Sequence, residues 1–420
     1  MESTTPQSGA TSSQPEIGRT PPLAPFRSRD FTLLWFGSFV SEAGSQMHVV
    51  AVSWQVYQLT RNPLALGGIG VARIVPLVLL ALGSGVLADA VDRRKLMLFS
   101  QIAMMLCSAS LALASSFGIA TIWWIYAVTA LSSAARTLGM PARQAIIPNL
   151  VPREHLPSAL SLNIISWQAA TIMGPTIGGF IIAGLGVSWI YWVDAVSFVA
   201  VIVALLIMRV GPVIGERRGV NLGAALEGLA FVRRNKLVWS TMLLDFFATF
   251  FSSATVLLPL FATDILKAGS EELGLLYAAP SVGAVLASAI LSLRGSLRRQ
   301  GPILFWSVVG YGLCTVVFGL SASLWLSLLM LAGVGASDTV SMVVRGTVRQ
   351  LTTPDALRGR MTAVNMLFFA GGPQLGEIEA GVAARLLGGP LSVAIGGAAC
   401  VVTVGILAAL TPELRKYDGL

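Results

Sequence analysis

The sequence is poor in charge. Only 11% of its 420 residues are Asp, Glu, Lys or Arg, while 55% are hydrophobic. A soluble domain carries about 25% charged residues to cover its surface, so a large soluble enzyme is excluded. The same apolar content excludes disorder for most of the chain. There are three cysteines and two histidines. Cys107, Cys314 and Cys400 each stand alone in an apolar run, with no CxxC or Cys/His spacing, so neither a disulfide framework nor a structural zinc site is supported. No GxxxxGK[ST] loop is present, so ATP hydrolysis by this chain has no sequence support. No metal or other cofactor is expected.

What is present is apolar length, with a mean hydropathy of +0.77. Residues 1–30, rich in Ser, Thr, Pro and Gln, read as a disordered tail and lack the apolar core of a signal peptide. Apolar runs follow at roughly 31–58, 64–88, 96–116, 120–140, 158–184 and 186–208, and again at 239–263, 273–293, 302–320, 324–344, 361–386 and 390–411. Each is long enough to span a bilayer as a helix and too continuously apolar for a barrel strand. The expected fold is all-α and polytopic, with twelve transmembrane helices in two pseudo-symmetric six-helix bundles, 31–208 and 239–411. A linker, 209–238, joins them, and a short tail, 412–420, ends the chain. In the linker Leu222, Ala225, Leu226 and Leu229 recur at helical spacing ahead of Arg233, Arg234 and Lys236, which predicts an amphipathic helix on the inner leaflet.

The net charge of +8 is first of all a statement about orientation. All but four of the 28 basic residues fall in the two tails and the 2–3, 4–5, 6–7, 8–9 and 10–11 connections, counting Arg136, near the cytoplasmic end of its run, with the 4–5 connection. The exceptions are Arg61, Lys267, Arg73 and Arg385. The positive-inside rule then puts both termini in the cytoplasm of a plasma-membrane protein. Basic residues divided among short segments do not form a nucleic-acid surface; lipid is the expected surrounding.

The halves share an internal repeat. Arg143, Pro152 and Asn163 recur as Arg345, Pro354 and Asn365 at an offset of 202 residues, and each copy is followed by a Gly-Pro pair, Gly174-Pro175 and Gly372-Pro373. Parallel repeats of this kind underlie transporters whose halves rock about a midplane site.

Between runs 2 and 3 stands Gly85-Val86-Leu87-Ala88-Asp89-Ala90-Val91-Asp92-Arg93-Arg94-Lys95. It resembles the major facilitator superfamily signature G-x-x-x-D-x-x-G-R-[RK]-x, with Asp92 in place of the second glycine. The resemblance implies a cytoplasmic latch built on Gly85, Asp89, Arg93 and Arg94. At the matching place in the second half Ser288 and Ser292 replace Gly85 and Asp89 ahead of Arg294, Arg298 and Arg299, so the acid is lost. Gly174-Pro175-Thr176-Ile177-Gly178-Gly179 resembles the span-5 motif of the superfamily's exporters, where proline and small residues permit bending and close helix contact. The words P-A-R-Q-A-I-I-P-N-L-V-P-R-E-H-L, Glu227-Gly-Leu-Ala-Phe-Val-Arg-Arg-Asn and Leu275-Leu276-Tyr277-Ala278-Ala279-Pro280 narrow the resemblance. It is to the bacterial branch of enterobactin-type siderophore exporters, secretion effectors and multidrug effectors, over roughly residues 25–415. It implies a monomeric secondary transporter exporting a small amphipathic molecule by alternating access, as a proton antiporter. A nutrient symporter is the alternative, and a non-transporting receptor a more distant one.

Charges inside the membrane are costly and mark pathways or coupling sites. Glu42 lies about 16 Å into run 1, on a face shared with Ser38, Ser45, Gln46 and Ser53. The resemblance implies a proton-carrying acid in this span, and Glu42 is the first candidate, with Arg73 a possible fixed neighbour. Asp245 shares a face with Thr241, Thr249 and Ser252. Asp338 shares one with Ser341 and Arg345, and its alternative role is to satisfy that arginine. Glu377 and Glu379 point ~200° apart, so at most one readily faces a central cavity. Asp194 reads as structural, and His48 points away from Glu42. Arg136 falls near the cytoplasmic end of its run, unlike the mid-span arginine of the drug exporters. Trp54, Trp167, Phe246, Phe250, Phe368 and Phe369 are candidates for stacking a flat substrate.

Overall fold

The computed structural model describes residues 21–209, 222–294, 299–354, 357–415 and 417–418, apart from residue 91. Side chains are described outside 81–90, 222–226, 228, 359, 363, 367 and 370. Most of the expected tail and much of the expected linker therefore lie outside the described residues. A 3-10 turn at Ala24–Arg27 leads into α1 (Arg29–Thr60), so ordered chain begins before residue 31. Phe26 holds this entry, packing on the rings of Phe31, Trp35 and Phe36.

The first half continues with α2 (Pro63–Ala90), α3 (Arg93–Ser116), α4 (Ile122–Ile146), α5 (Leu156–Leu185) and α6 (Val187–Ile207). A short helix, α7 (Leu222–Arg234), lies within the expected linker. The seventh apolar run is broken: α8 (Lys236–Phe251) gives way to a 3-10 turn at Ala254–Leu257, a single helical turn α9 (Leu258–Leu260), and a π turn at Phe261–Ile265. Then come α10 (Ser270–Arg294), α11 (Gln300–Leu320), α12 (Leu324–Thr352), α13 (Arg358–Leu387), α14 (Gly389–Leu410) and the terminal turn α15 (Pro412–Arg415). Among the described residues nine helical segments are long and apolar enough to cross a membrane. The long helices α1, α4 and α13 are not among them, and these carry Glu42, Arg136 with Arg143, and Glu377.

Helix starts are chemically marked. Ser28, Thr121 and Asn235 each accept a backbone N–H of the first turn of α1, α4 and α8, which satisfies a donor that would otherwise lack a partner. Asp92, the residue that departs from the family signature, caps α3 by accepting from the Arg94 N–H at 3.0 Å. The departure is therefore a change from a glycine turn to a side-chain cap.

The two halves pack alike. In the first, α1 lies on α5 and α6, α3 on α4 and α6, and α2 on α4; in the second, α8 lies on α13 and α14, α11 on α12 and α14, and α10 on α12. The turns between α5 and α6 and between α13 and α14 both use glycine at positive φ, Gly186 at 92° and Gly388 at 84°, where a Cβ would be strained. They are again 202 residues apart. The same offset pairs Gly174 with Gly376. Gly174 lets α5 approach Ala43 and Gln46 of α1; Gly376 lets α13 approach Phe250 and Ser253 beside α8. The structural partner of Gly174 is thus Gly376, not the Gly372 of the second Gly-Pro pair, because backbone crossing and not the dipeptide is what repeats.

A helix is present in the expected linker as α7. It packs on α8 and α13 through the fully buried Val232, and Glu227 pairs with Arg360 at 2.6 Å. Side chains outside the bundles are apolar and exposed, Trp123, Trp325 and Leu79 among them, as a lipid-facing surface requires.

Candidate functional site

The largest apolar cluster crosses from one half to the other. Tyr57, Leu66 and Ile69 of the first half share it with Leu257, Phe261, Leu273, Leu276 and Ala380 of the second. It lies toward the helix ends farthest from the chain termini. The halves close there at two helix crossings, α2 on α13 and α5 on α10. A Cβ on Gly381 would stand 2.7 Å from the Gly67 Cα, and one on Gly179 2.4 Å from the Ser270 carbonyl oxygen. Polar contacts reinforce this closure. Tyr57 donates to Asp264, Arg61 pairs with Asp264 at 3.6 Å, and the Ser53 and Tyr277 hydroxyls hydrogen bond at 2.8 Å. Replacing Gly381 with leucine is expected to cost the closed arrangement about 1–3 kcal/mol, a shift of roughly 5- to 150-fold toward the opposite opening. A faster reaction of Ser53→Cys, in a background without the native cysteines, with an impermeant thiol reagent applied from the side opposite the termini would show it. An unchanged rate would contradict it.

Just inside this closure is a cavity of about 260 Å³ lined by residues from both halves, including Gln46, Ser53, Thr171, Pro175, Tyr277 and Glu377. Arg73 of α2 and Glu377 of α13 meet across it at 3.2 Å. The second carboxylate oxygen of Glu377 is buried and has no hydrogen-bond partner among the described residues. Arg73 is therefore the fixed neighbour of Glu377, not of Glu42. Glu379 lies elsewhere, beside Ser252, Thr315 and Ser392.

Glu42 is only 6% exposed and is held by two arginines of α4. Arg136 approaches its carboxylate at 3.3 Å and Arg143 at 3.4 Å, while the Gln46 amide donates to it at 3.2 Å. Arg136 is thus no bystander at a helix end. α4 runs on to Ile146, past the apolar run, which leaves Arg136 well inside the helix. In the second half Arg345 of α12, 2% exposed, lies 3.0 Å from Asp245 of α8 and 3.4 Å from Asp338. The two clusters occupy matching places. Arg143 and Arg345 are 202 residues apart, Glu42 and Asp245 203, and Arg136 and Asp338 202. One position has changed sign. The first cluster holds one acid and two arginines, the second two acids and one arginine, so their formal charges are +1 and −1.

The remaining expected residues are placed as follows. In α5, Gly174 and Gly178 receive α1, Gly179 receives α10, and Pro175 lines the cavity. For the latch, residues 81–90 are described as helical backbone only, so a pairing of Asp89 with Arg93 lies outside what is described. Arg93 donates to the Ala145 carbonyl, and Arg94 to those of Leu205 and Leu206, all within the first half. Asp194 accepts from Ser108 and Ser45 and pairs with His48 at 2.8 Å, a buried link among α1, α3 and α6. The candidate aromatics are not part of the cavity wall: Phe246 stacks on Phe250 and meets Phe368 edge-on, and Trp167 and Phe369 are half exposed. Tyr277 takes their expected place. It stood in the branch-specific wording of run 8, but nothing in its spacing marks it as cavity-facing.

Two repeated helical bundles around a cross-half cavity define a transporter of the major facilitator superfamily, and not an enzyme. Within it, the model described as transmembrane secretion effector matches residues 20–420, and the chain belongs to that family. It is 28% identical over 398 residues to the enterobactin exporter EntS of Shigella boydii serotype 18 (strain CDC 3083-94 / BS512), covering 92% of this chain and 93% of that one. It is 28% identical over 405 residues to the multidrug efflux pump Tap of Mycolicibacterium fortuitum, covering 92% and 96%. Its fold matches a bacterial homologue of the iron transporter ferroportin in an inward-facing state, with a TM-score of 0.69 at 16% identity over 93% and 99% of the two chains. It also matches a bacterial homologue of the human lysosomal transporter Spinster, inward-facing and unoccupied, with a TM-score of 0.70 at 15% identity over 93% and 97%.

Proposed function

We propose that the chain is a secondary active transporter that exports a small amphipathic molecule across the inner membrane by alternating access, as a proton antiporter. The observation that carries this reading is the cross-half cavity, sealed on one side by glycine crossings and spanned by the Arg73–Glu377 pair. With both termini cytoplasmic, the sealed side is the outside, and the cavity is closed to it. Relatives named for enterobactin and for multidrug efflux support the outward direction.

The opposed charge clusters give the antiport a physical basis. The second carries one carboxylate more than its arginine can neutralise, and a proton cancels that surplus. The first carries one guanidinium more than Glu42 can neutralise. Arg136 is 54% exposed, so an acidic group on a substrate can reach that surplus. The export reading is tested in everted vesicles with an imposed proton gradient, using enterobactin and ethidium as probes. Gradient-driven uptake into everted vesicles supports it. Accumulation in right-side-out vesicles under an inward proton gradient would establish the symporter instead, and no gradient-driven flux of either probe would count against antiport of these substrate classes.

A further inference from the structure

The second-half counterpart of the latch has lost its acid, and two of its arginines, Arg294 and Arg299, stand at the end of a groove on the outer surface of the bundle. α10 and α11 each pack along α12 but make at most marginal contact with one another. α10 is drawn onto one side of α12 because Gly283 meets the Ala332 carbonyl and Gly335 the Pro280 carbonyl with no room for a Cβ. The space left between α10 and α11 is about 1020 Å³, walled by apolar side chains such as Leu286, Ile290, Trp306 and Met330. Arg294, the last residue of α10, and Arg299, which leads into α11, also line it. Both are exposed, and neither guanidinium has a hydrogen bond or ion pair among the described residues. The first-half arginines at the corresponding connection are instead committed to backbone carbonyls.

We propose that this groove is a binding site for one anionic phospholipid of the leaflet on the side of the chain termini. Its acyl chain lies along Leu286, Ile290 and Trp306, and its phosphate meets Arg294 and Arg299. The charge complementarity is specific to the headgroup end. The groove is mostly apolar along its length, with Ser307 and Ser337 as uncharged polar residues, and is cationic at the end where the helices leave the bilayer; Arg299 lies there, its N–H bonded to the Asp418 carbonyl in the C-terminal tail. Basic pockets between transmembrane helices select acidic headgroups in this way. The opposite face of α10 supplies Tyr277, Pro280 and Ser281 to the central cavity, so a lipid held here steadies a helix of the transport site.

Trp306, 74% exposed in the groove, is a built-in reporter. The full chain is reconstituted in phosphatidylcholine vesicles containing either chain-brominated phosphatidylglycerol or chain-brominated phosphatidylcholine. Quenching of the Trp306 component is isolated by comparison with Trp306→Phe. The phosphatidylglycerol is expected to quench preferentially, with a preference of about fivefold per arginine. The preference is lost in Arg294→Gln/Arg299→Gln and kept in Arg294→Lys/Arg299→Lys, which controls for folding. Equal quenching by the two lipids, or an undiminished preference in the glutamine variant, overturns the proposal. Suppression of the preference by inorganic phosphate at low millimolar concentration would assign the arginines to a soluble anion and overturn it equally.

Discussion

Replacing Arg345 with glutamine is expected to lower the stability of the folded protein by about 3–5 kcal/mol, the cost of breaking a buried ion pair. Arg345 and Asp245 are both about 2% exposed and 3.0 Å apart, so the variant removes the one cation that pairs with this buried carboxylate among the described residues. The prediction has an internal control. Arg143→Gln removes the residue at the matching position of the first half, but Glu42 keeps Arg136, so its loss is expected to be much smaller. A second control is Arg345→Gln/Asp245→Asn, which removes both charges and should recover most of the loss, because two neutral polar groups are far less costly to bury than one unpaired charge. Thermal unfolding of the purified protein in one detergent provides the comparison. Equal losses for Arg143→Gln and Arg345→Gln, or no recovery in the double variant, would refute the account of Arg345 as the sole neutralising group.

The architecture was legible in the sequence because a bilayer reduces the choices. Apolar length marks helices, basic loops suggest orientation, and a 202-residue offset relates the halves. Pairing was less legible. Arg143 and Arg345 are visible as a repeat because the residue is unchanged, whereas Glu42 and Asp245 conserve only charge, and Arg136 and Asp338 invert it. A search for identical letters passes over the last two relations, although they carry the electrostatic content of the site. Helix length is also understated by apolar runs alone. α4 extends beyond its apolar run to Ile146, so Arg136, placed at the end of the run, lies inside the helix and reaches Glu42. Aromatic side chains on cavity helices are ambiguous in sequence, because a large apolar ring fits lipid and core as well as a cavity; Phe246 and Phe250 stack on one another.

The inverted position leads to the test of coupling. In the proposed antiport Asp338 is the proton carrier, because Arg345 is shared between two carboxylates and is the closer to Asp245. Asp338→Asn is therefore expected to reduce gradient-driven flux at least tenfold, about 1.4 kcal/mol or more at the coupling step, while exchange of substrate without a gradient persists. Glu42, on which the sequence first placed the proton, is gripped by two arginines. It can take up a proton only after both are drawn away, and an acidic substrate at Arg136 would release only one of them. Glu42→Gln is accordingly expected to impair transport through the substrate, by altering the preference between acidic and cationic molecules, and to leave the proton requirement in place. The two variants are compared in proteoliposomes with and without an imposed proton gradient. Loss of coupling in Glu42→Gln with full coupling in Asp338→Asn would reverse the assignment and return the proton to the first half. Full coupling in both would place the carrier at Glu377, the acid that lines the cross-half cavity, whose bond to Arg73 then becomes the element that protonation opens.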